Sequence, residues 1–346
     1  MTRPHLSLRS APRFILRFVA LRFVIGVTAA ALALTGLTGL TAGIVHASPG
    51  RLVSSTTVAD QMRDITVHSP SMGRDIPLTV LTPKDTSKPA PVLYLLNGAG
   101  GGEDSATWQR NTDIVKFFAD KNVYVVIPMQ GAFSYYTDWV KTDEKLGVNK
   151  WATFLADELP PVIDGTYPTT GKNAIAGISS SATSVLNLAI ANRGLYEAVG
   201  SYSGCASTST EHGTLFIRIV VETRGGGNVR NMWGELRGPL WKQNDPIINA
   251  AGLRGVSLYL SAATGLPGAH DNLSEVPNVA TLGDRIVTGG VIEAATRVCT
   301  EQLASRLQQL RIPATVDRPI GGTHSWPYWQ DQLHKSWPQL SRAIGA

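Results

Sequence analysis

The chain has 346 residues, of which 43% are hydrophobic and 16% charged. That composition excludes a disordered or low-complexity protein and allows one large domain of roughly 250–300 residues with a substantial core. The formal net charge of +5 comes from the first 47 residues, which hold five arginines and no acid and leave 26 basic against 26 acidic residues in the rest, so nothing argues for nucleic-acid binding.

In that leader, Arg3, Arg9, Arg13, Arg17 and Arg22 precede an uncharged stretch over 23–45 that closes on Val45-His46-Ala47. A basic start, an apolar middle and a small-residue end read as a secretory signal over 1–47, cleaved near Ala47. A retained anchor is the alternative, because the stretch is long enough to span a bilayer.

After a polar lead, "SPGRLVSSTTVADQ", apolar β-rich runs recur: "DITVHS", "IPLTVLTP", "PVLYLLNG", "VYVVIP", "NAIAG", "AVGSYSG", "VSLYLS" and "ATVDRPI". Helical patterns fall at 112–119, 150–163, 179–192, 291–310 and 328–346. Two strands come first, then strand and helix alternate. The pattern predicts an α/β fold over 48–346: a mostly parallel sheet of about eight strands, antiparallel at its start and covered by helices. Residues 206–250, with "TRGGGNVRNMWG" and "WKQNDP", break the rhythm and read as an insertion or cap over the C-terminal edge of the sheet. There is no internal repeat.

Chemistry concentrates at strand ends. "VLYLLNGAGGG" is a Gly-rich turn after an early strand, where an oxyanion hole belongs, and Ala99 follows Asn97-Gly98 in position to donate its N–H. The turn lacks the Gly-Lys-Ser/Thr ending of a phosphate loop. In "GKNAIAGISSSATSVL", Gly177-Ile178-Ser179-Ser180-Ser181 sits between a short strand and a helix, the setting of a G-x-S-x-G nucleophile elbow with serine in the second glycine position. Ser179 is then the nucleophile and the Ser180 amide a second oxyanion donor. The competing possibility is that Ser179 merely caps a helix.

Of the histidines after Ser179, His324 lies in "GGTHSW", directly after the last predicted strand, where the base of such a site belongs. His212 and His270 precede that strand, and His334 lies on the final amphipathic helix. A histidine base predicts activity that falls on the acid side of neutrality. For the acid, Asp271 and Glu293 both fit the chain order, and spacing does not choose between them. Cys205 and Cys299 are the only cysteines. In an exported chain an even pair predicts a disulfide, with two buried thiols as the alternative.

The chain resembles the antigen 85 mycolyltransferases of mycolic-acid bacteria. The resemblance covers most of residues 48–346 and rests on "SPSMGRDI", "YTDW", "KWATFLADELP", "GIS", "MWG", "NDP" and "GTHSWPYW", in the family's order. It implies an α/β-hydrolase fold, no cofactor, and a Ser-Glu-His triad of Ser179, Glu293 and His324, with Glu293 chosen because "VIEAATRV" occupies the place of the family's acid-bearing helix. It matches the oxyanion donors to Ala99 and Ser180, Asn111 and Ser325 to positions lining the sugar or acyl site, and Trp326 to a tryptophan beside the histidine. Asn97-Gly98-Ala99-Gly100 departs from the family's Asp-Gly-Leu-Arg turn, whose Asp and Arg help hold trehalose, so the substrate contacts of Asn97 and Gly98 differ there. The expectation is an exported, envelope-associated monomer transferring a mycoloyl group between trehalose mycolates or to another envelope sugar. A plain carboxylesterase using water and a non-catalytic envelope-binding relative are the other readings.

Overall fold

The computed structural model describes residues 48–346. The expected leader and its cleavage point near Ala47 lie outside the described residues. The strands are β1 (Arg51–Ala59), β2 (Met62–Ser69), β3 (Arg74–Leu81), β4 (Ala90–Leu96), β5 (Tyr124–Pro128), β6 (Thr169–Ile178), β7 (Ala198–Tyr202), β8 (Ser257–Ser261) and β9 (Thr315–Asp317). They form one sheet in the order β1-β2-β3-β5-β4-β6-β7-β8-β9. The β1 to β3 strands and the β3–β5 pair are antiparallel, and the remaining pairs are parallel.

The eight predicted runs coincide with β2 to β9, and the sheet has a ninth strand. The segment read as a polar lead is β1, exposed along nearly its whole length. It has no apolar alternation because it buries almost no side chain. Main-chain pairing with β2, from Arg51 opposite His68 to Ala59 opposite Met62, holds it at the sheet edge.

The inner strands read as continuous apolar runs because both faces are covered. Val92, Tyr94 and Leu96 of β4 enter one core, and Leu93 and Leu95 enter the other. The helix Trp326–Ile344 buries Trp329, Leu333, Trp337, Leu340 and Ile344 on the second face, a stripe at helical spacing. The helices expected at 179–192 and 291–310 are Ser180–Ala191 and Gly290–Gln309. That expected at 112–119 is shorter, Ile114–Phe118, behind a separate turn at Trp108–Asn111.

The stretch 206–250 lies in the β7–β8 connection and carries the helices Glu211–Arg218, Val229–Trp233 and Pro239–Gln243. It has a small apolar cluster of its own. Ile217, Val221, Val229, Met232, Trp233 and Trp241 pack there with Tyr135 and Trp139, apart from the two sheet cores. Among the described residues no helix is long and apolar enough to cross a membrane.

Sheet order fixes where a site can form. The chain leaves β4 for β5 on one side and returns to β6 on the other, so the crevice beyond the ends of β4 and β6 is a switch point. Register brings Leu96 beside Gly177, Ile178 beside Tyr202, and Tyr202 beside Ser261. The residues that follow, Gly98, Ser179, Ser203 and Ala263, therefore leave the sheet at one edge.

Candidate active site

Ser179 occupies the single step between β6 and the Ser180–Ala191 helix, with φ 55° and ψ −123°. A non-glycine residue at positive φ is uncommon and is held there by its surroundings. Its N–H donates to Tyr202 O at 2.9 Å. Its hydroxyl makes no capping bond to the helix, which removes the helix-cap alternative. A Cβ on Gly177 would fall 2.6 Å from Ser181 Oγ and 2.9 Å from the Ser181 carbonyl, so only glycine fits. Ser181 takes the second small position differently. Its Oγ accepts from Ile178 N–H and donates to Ile178 O, both at 2.9 Å, so the hydroxyl ties the elbow together.

The Ser179 hydroxyl lies 2.8 Å from His324 Nε2, and His324 Nδ1 lies 2.9 Å from Glu293 Oε2. The His324 and Glu293 side chains are only 9% and 2% exposed, which strengthens both contacts by excluding water. The helix ladder widens over Arg285–Gly289, and the Gly289 carbonyl accepts the His324 N–H at 3.1 Å. Glu293 is held from several directions: Oε1 accepts from Ala263 N–H at 2.7 Å and from Ser203 Oγ at 2.9 Å.

Asp271, the other acid open to the sequence, points elsewhere. It accepts from Thr323 Oγ1 at 2.8 Å, Tyr328 OH at 2.7 Å and Gly268 N–H at 2.9 Å. Burial, helped by Asp271, pushes the Tyr328 phenol well above its usual pKa, so it donates as a neutral hydroxyl. Asp271 thus anchors the loop that carries His324, and Glu293 is the acid bonded to the ring.

Above Ser179 opens a cavity of about 750 Å³. Ala99 and Ser180 line it. Among the described residues neither N–H has a protein acceptor, so two amides are free beside the serine. Gly98, Ser325 and Trp326 also line the cavity, whereas Asn97 and Asn111 do not. Asn97 is buried under the turn, donating to Pro128 O at 3.0 Å and accepting from Trp108 N–H at 3.2 Å. Asn111 bonds the carbonyls of Ser105 and Thr107. The tryptophan against the histidine ring is Trp329, edge-on at 4.9 Å, and Trp326 packs on it from 5.3 Å. The cavity walls come from two helical stretches, with Phe216, Ile217 and Val220 on one and Val291, Ile292 and Ala295 on the other. Among the described residues no group of three or more His, Cys, Asp or Glu side chains is placed to hold a metal ion.

Ser203 was not visible as a site residue in the sequence. Its φ is 55°, and its Oγ donates to Glu293 while accepting from Trp329 Nε1 at 3.1 Å. It fixes the acid and the ring that walls the histidine. Ser203→Ala is expected to lower kcat on a soluble ester about tenfold with KM changed less than about twofold, the scale of one hydrogen bond to a charged group. An unchanged kcat would leave Ser203 a purely structural residue.

Cys205 and Cys299 are joined in a disulfide, Cα–Cα 4.9 Å, closing 94 residues. It links the loop after Ser203 to the helix that carries Glu293, and Thr183 Oγ1 bonds the Cys205 carbonyl at 2.9 Å. Cys299→Ser is expected to lower the unfolding free energy by about 2–4 kcal/mol in a urea titration; a loss below about 0.5 kcal/mol would contradict that.

A strained serine at the switch point of such a sheet, with a histidine from the loop beyond its last strand, defines the class: an α/β-hydrolase fold. The family model described as "Putative esterase" matches residues 69–340. The diacylglycerol acyltransferase/mycolyltransferase Ag85A of Mycobacterium tuberculosis is 31% identical over 94% of this chain and 92% of its own length. The corresponding Ag85C of Mycobacterium avium is 28% identical over 80% of this chain and 76% of its own. The chain belongs to the antigen 85 mycolyltransferase family, within the esterases. Among solved structures, Mycobacterium tuberculosis MPT51 (FbpC1) superposes with a TM-score of 0.66 at 24% identity, covering 86% of this chain and all of that one. The fluorophosphonate-binding serine hydrolase F of Staphylococcus aureus gives 0.61 at 16% identity, over 86% of this chain and 99% of that one. Both likenesses concern the fold.

Proposed function

We propose that the protein is a serine acyltransferase that moves a mycoloyl group from trehalose monomycolate to a sugar hydroxyl, through an acyl-enzyme on Ser179. The observation that carries this is the unbroken hydrogen-bond chain from Ser179 through His324 to Glu293 at the floor of a cavity with long apolar walls. His324 Nε2 takes the Ser179 proton as Oγ attacks the ester carbonyl. Glu293 holds the Nδ1–H tautomer and offsets the imidazolium charge. The Ala99 and Ser180 amides receive the oxyanion. His324 returns the proton to the departing sugar oxygen. A second hydroxyl then enters by the same route in reverse and releases the acyl group. The two apolar helical walls hold the acyl chain, where apolar area leaves water.

The names of the relatives, mycolyltransferases throughout, support the same reading. It carries with it export, action on envelope glycolipids, and work as a monomer without a cofactor. The esterase family description favours one second reading, hydrolysis with water as acceptor.

The test incubates the protein with a trehalose monomycolate analogue and reads the products by mass spectrometry, with Ser179→Ala as control. Trehalose dimycolate that disappears in the variant is the expected result. Free acid alone, with sugar acceptors present, would establish the hydrolytic reading instead.

A further inference from the structure

The turn that carries Ala99 is held by a second piece of backbone, the segment after β5. Gly98 O accepts from Gly101 N–H at 3.0 Å. A trans peptide carries its C=O and N–H on opposite sides, so the Ala99 N–H faces away from that bond. Ala99 O accepts in turn from Phe133 N–H at 2.7 Å. Both peptide planes around Ala99 are therefore fixed, one from within the turn and one from outside it. The outside segment is itself sharply bent: Gly131 has φ 108°, and Phe133, a bulky residue, has φ 58°. Such a conformation at a bulky residue persists only where the surroundings impose it. Glu103 supplies a restraint. Its Oε1 accepts from the N–H groups of Gly131 and Ala132, both at 3.0 Å. Turn and segment also meet backbone to backbone, since a Cβ on Gly101 would fall 2.4 Å from Ala132 N. Two residues past Phe133, Tyr135 O accepts from Ser184 Oγ at 2.6 Å, on the helix that begins with Ser180.

We infer that Glu103 is a positioning residue for the chemistry at Ser179. By gripping Gly131 and Ala132 it holds the Phe133 N–H on Ala99 O, and so aims the Ala99 amide. Glu103 does not line the cavity and acts only through these backbone bonds. One ionised oxygen serves two N–H groups, a pairing that suits a carboxylate with its several lone pairs and its charge. The same segment is tied to the Ser180 helix, so one brace sets the spacing of the two donor amides. A donor fixed in advance needs no movement as charge develops on the substrate oxygen. Released from Glu103, the segment lets the Ala99 peptide swing, and the cost falls on the tetrahedral intermediate rather than on the bound ester. The inference rests on the Ser179 acyl-enzyme reading above and holds whether the acceptor is a sugar or water.

The experiment compares the wild type with Glu103→Met and Glu103→Gln on a short-chain p-nitrophenyl ester, with a short-chain alkyl trifluoromethyl ketone as inhibitor. In the inhibited adduct Ser179 Oγ bonds to the ketone carbon, its proton passes to His324 Nε2, and the ketone oxygen becomes the oxyanion. Methionine fills the space of the glutamate without its acceptor oxygens, whereas glutamine keeps one. Glu103→Met is expected to lower kcat about thirtyfold with KM changed less than about twofold, the scale of a donor misplaced rather than removed. The inhibition constant of the ketone weakens by the same factor, and Glu103→Gln restores both to within about threefold of wild type. A merely structural role would not move the ketone constant in step with kcat while leaving KM alone. Glu103→Ala shows the same split if Glu103→Met does not fold. Three results each overturn the inference: kcat in these variants within about threefold of wild type, a ketone constant that stays fixed while kcat falls, or Glu103→Gln as damaged as Glu103→Met. Ser179→Ala is measured beside them. If it keeps the wild-type rate, the acyl-enzyme reading fails and the positioning role with it; if it is inactive while the Glu103 variants match the wild type, the positioning role fails alone.

Discussion

Ser179→Ala lowers kcat on a soluble ester by about a millionfold, the loss expected when the nucleophile of a serine relay is removed. His324→Ala costs a similar factor, and the double variant is no worse than either single one, because serine and histidine act as a unit. Residual turnover above the water rate, roughly 10³–10⁴-fold, is expected from the proposed oxyanion donors, the Ala99 and Ser180 amides, and from binding. The protein stays folded, since the Ser179 side chain makes no capping bond to its helix. Glycine in the same position goes further: it removes the nucleophile and adopts φ 55° without steric cost, so Ser179→Gly is inactive yet at least as stable as Ser179→Ala. Steady-state kinetics beside thermal denaturation read both effects. Activity within about tenfold of wild type in Ser179→Ala would remove Ser179 from the mechanism.

Glu293→Gln has the next largest effect, about 10⁴-fold in kcat. The variant is nearly isosteric and still accepts from Ala263 N–H and Ser203 Oγ through its amide oxygen. The amide nitrogen then replaces Oε2 opposite His324 Nδ1, where the wild-type contact is 2.9 Å. That nitrogen donates, so Nδ1 must accept, and the ring proton moves to Nε2, the atom that should receive the serine proton. Asp271→Asn separates geometry from chemistry. Asp271 touches Thr323 and Tyr328 and not the imidazole, so its loss loosens the loop and costs less than about tenfold in kcat. If Asp271→Asn proved the more damaging of the two, Glu293 would lose its assigned role.

The unequal visibility of these groups in the sequence has physical reasons. Ser179 and His324 announce themselves because each sits where an element ends. A strand-to-helix step needs small neighbours such as Gly177, and the loop after the last strand is short enough to name its histidine. The acid is not fixed by such a step. Glu293 and Asp271 are both buried near the His324 loop, and only the direction of each carboxylate separates them. Ser203 looks in sequence like any small residue past a strand, and its positive φ and two hydrogen bonds exist only in three dimensions. Asn97 and Asn111 show the converse. Their neighbourhood in the chain is the right one, but their side chains are spent on Pro128, Ser105 and Thr107. β1 escaped because a strand that buries nothing leaves no apolar period to find.

The β7–β8 connection carries its own apolar cluster, with Trp233 and Trp241 packed edge-to-face at 5.2 Å, and it also supplies one wall of the cavity. Ser179 and His324 follow strand ends and Glu293 sits on the Gly290–Gln309 helix, while this wall hangs from a separate small core. Divergence can therefore reshape the wall within its own core, with the Cys205–Cys299 disulfide as the covalent tie to the helix of Glu293. A lineage or an engineer that reshapes this wall has a module whose alteration leaves Ser179, His324 and Glu293 on their original elements.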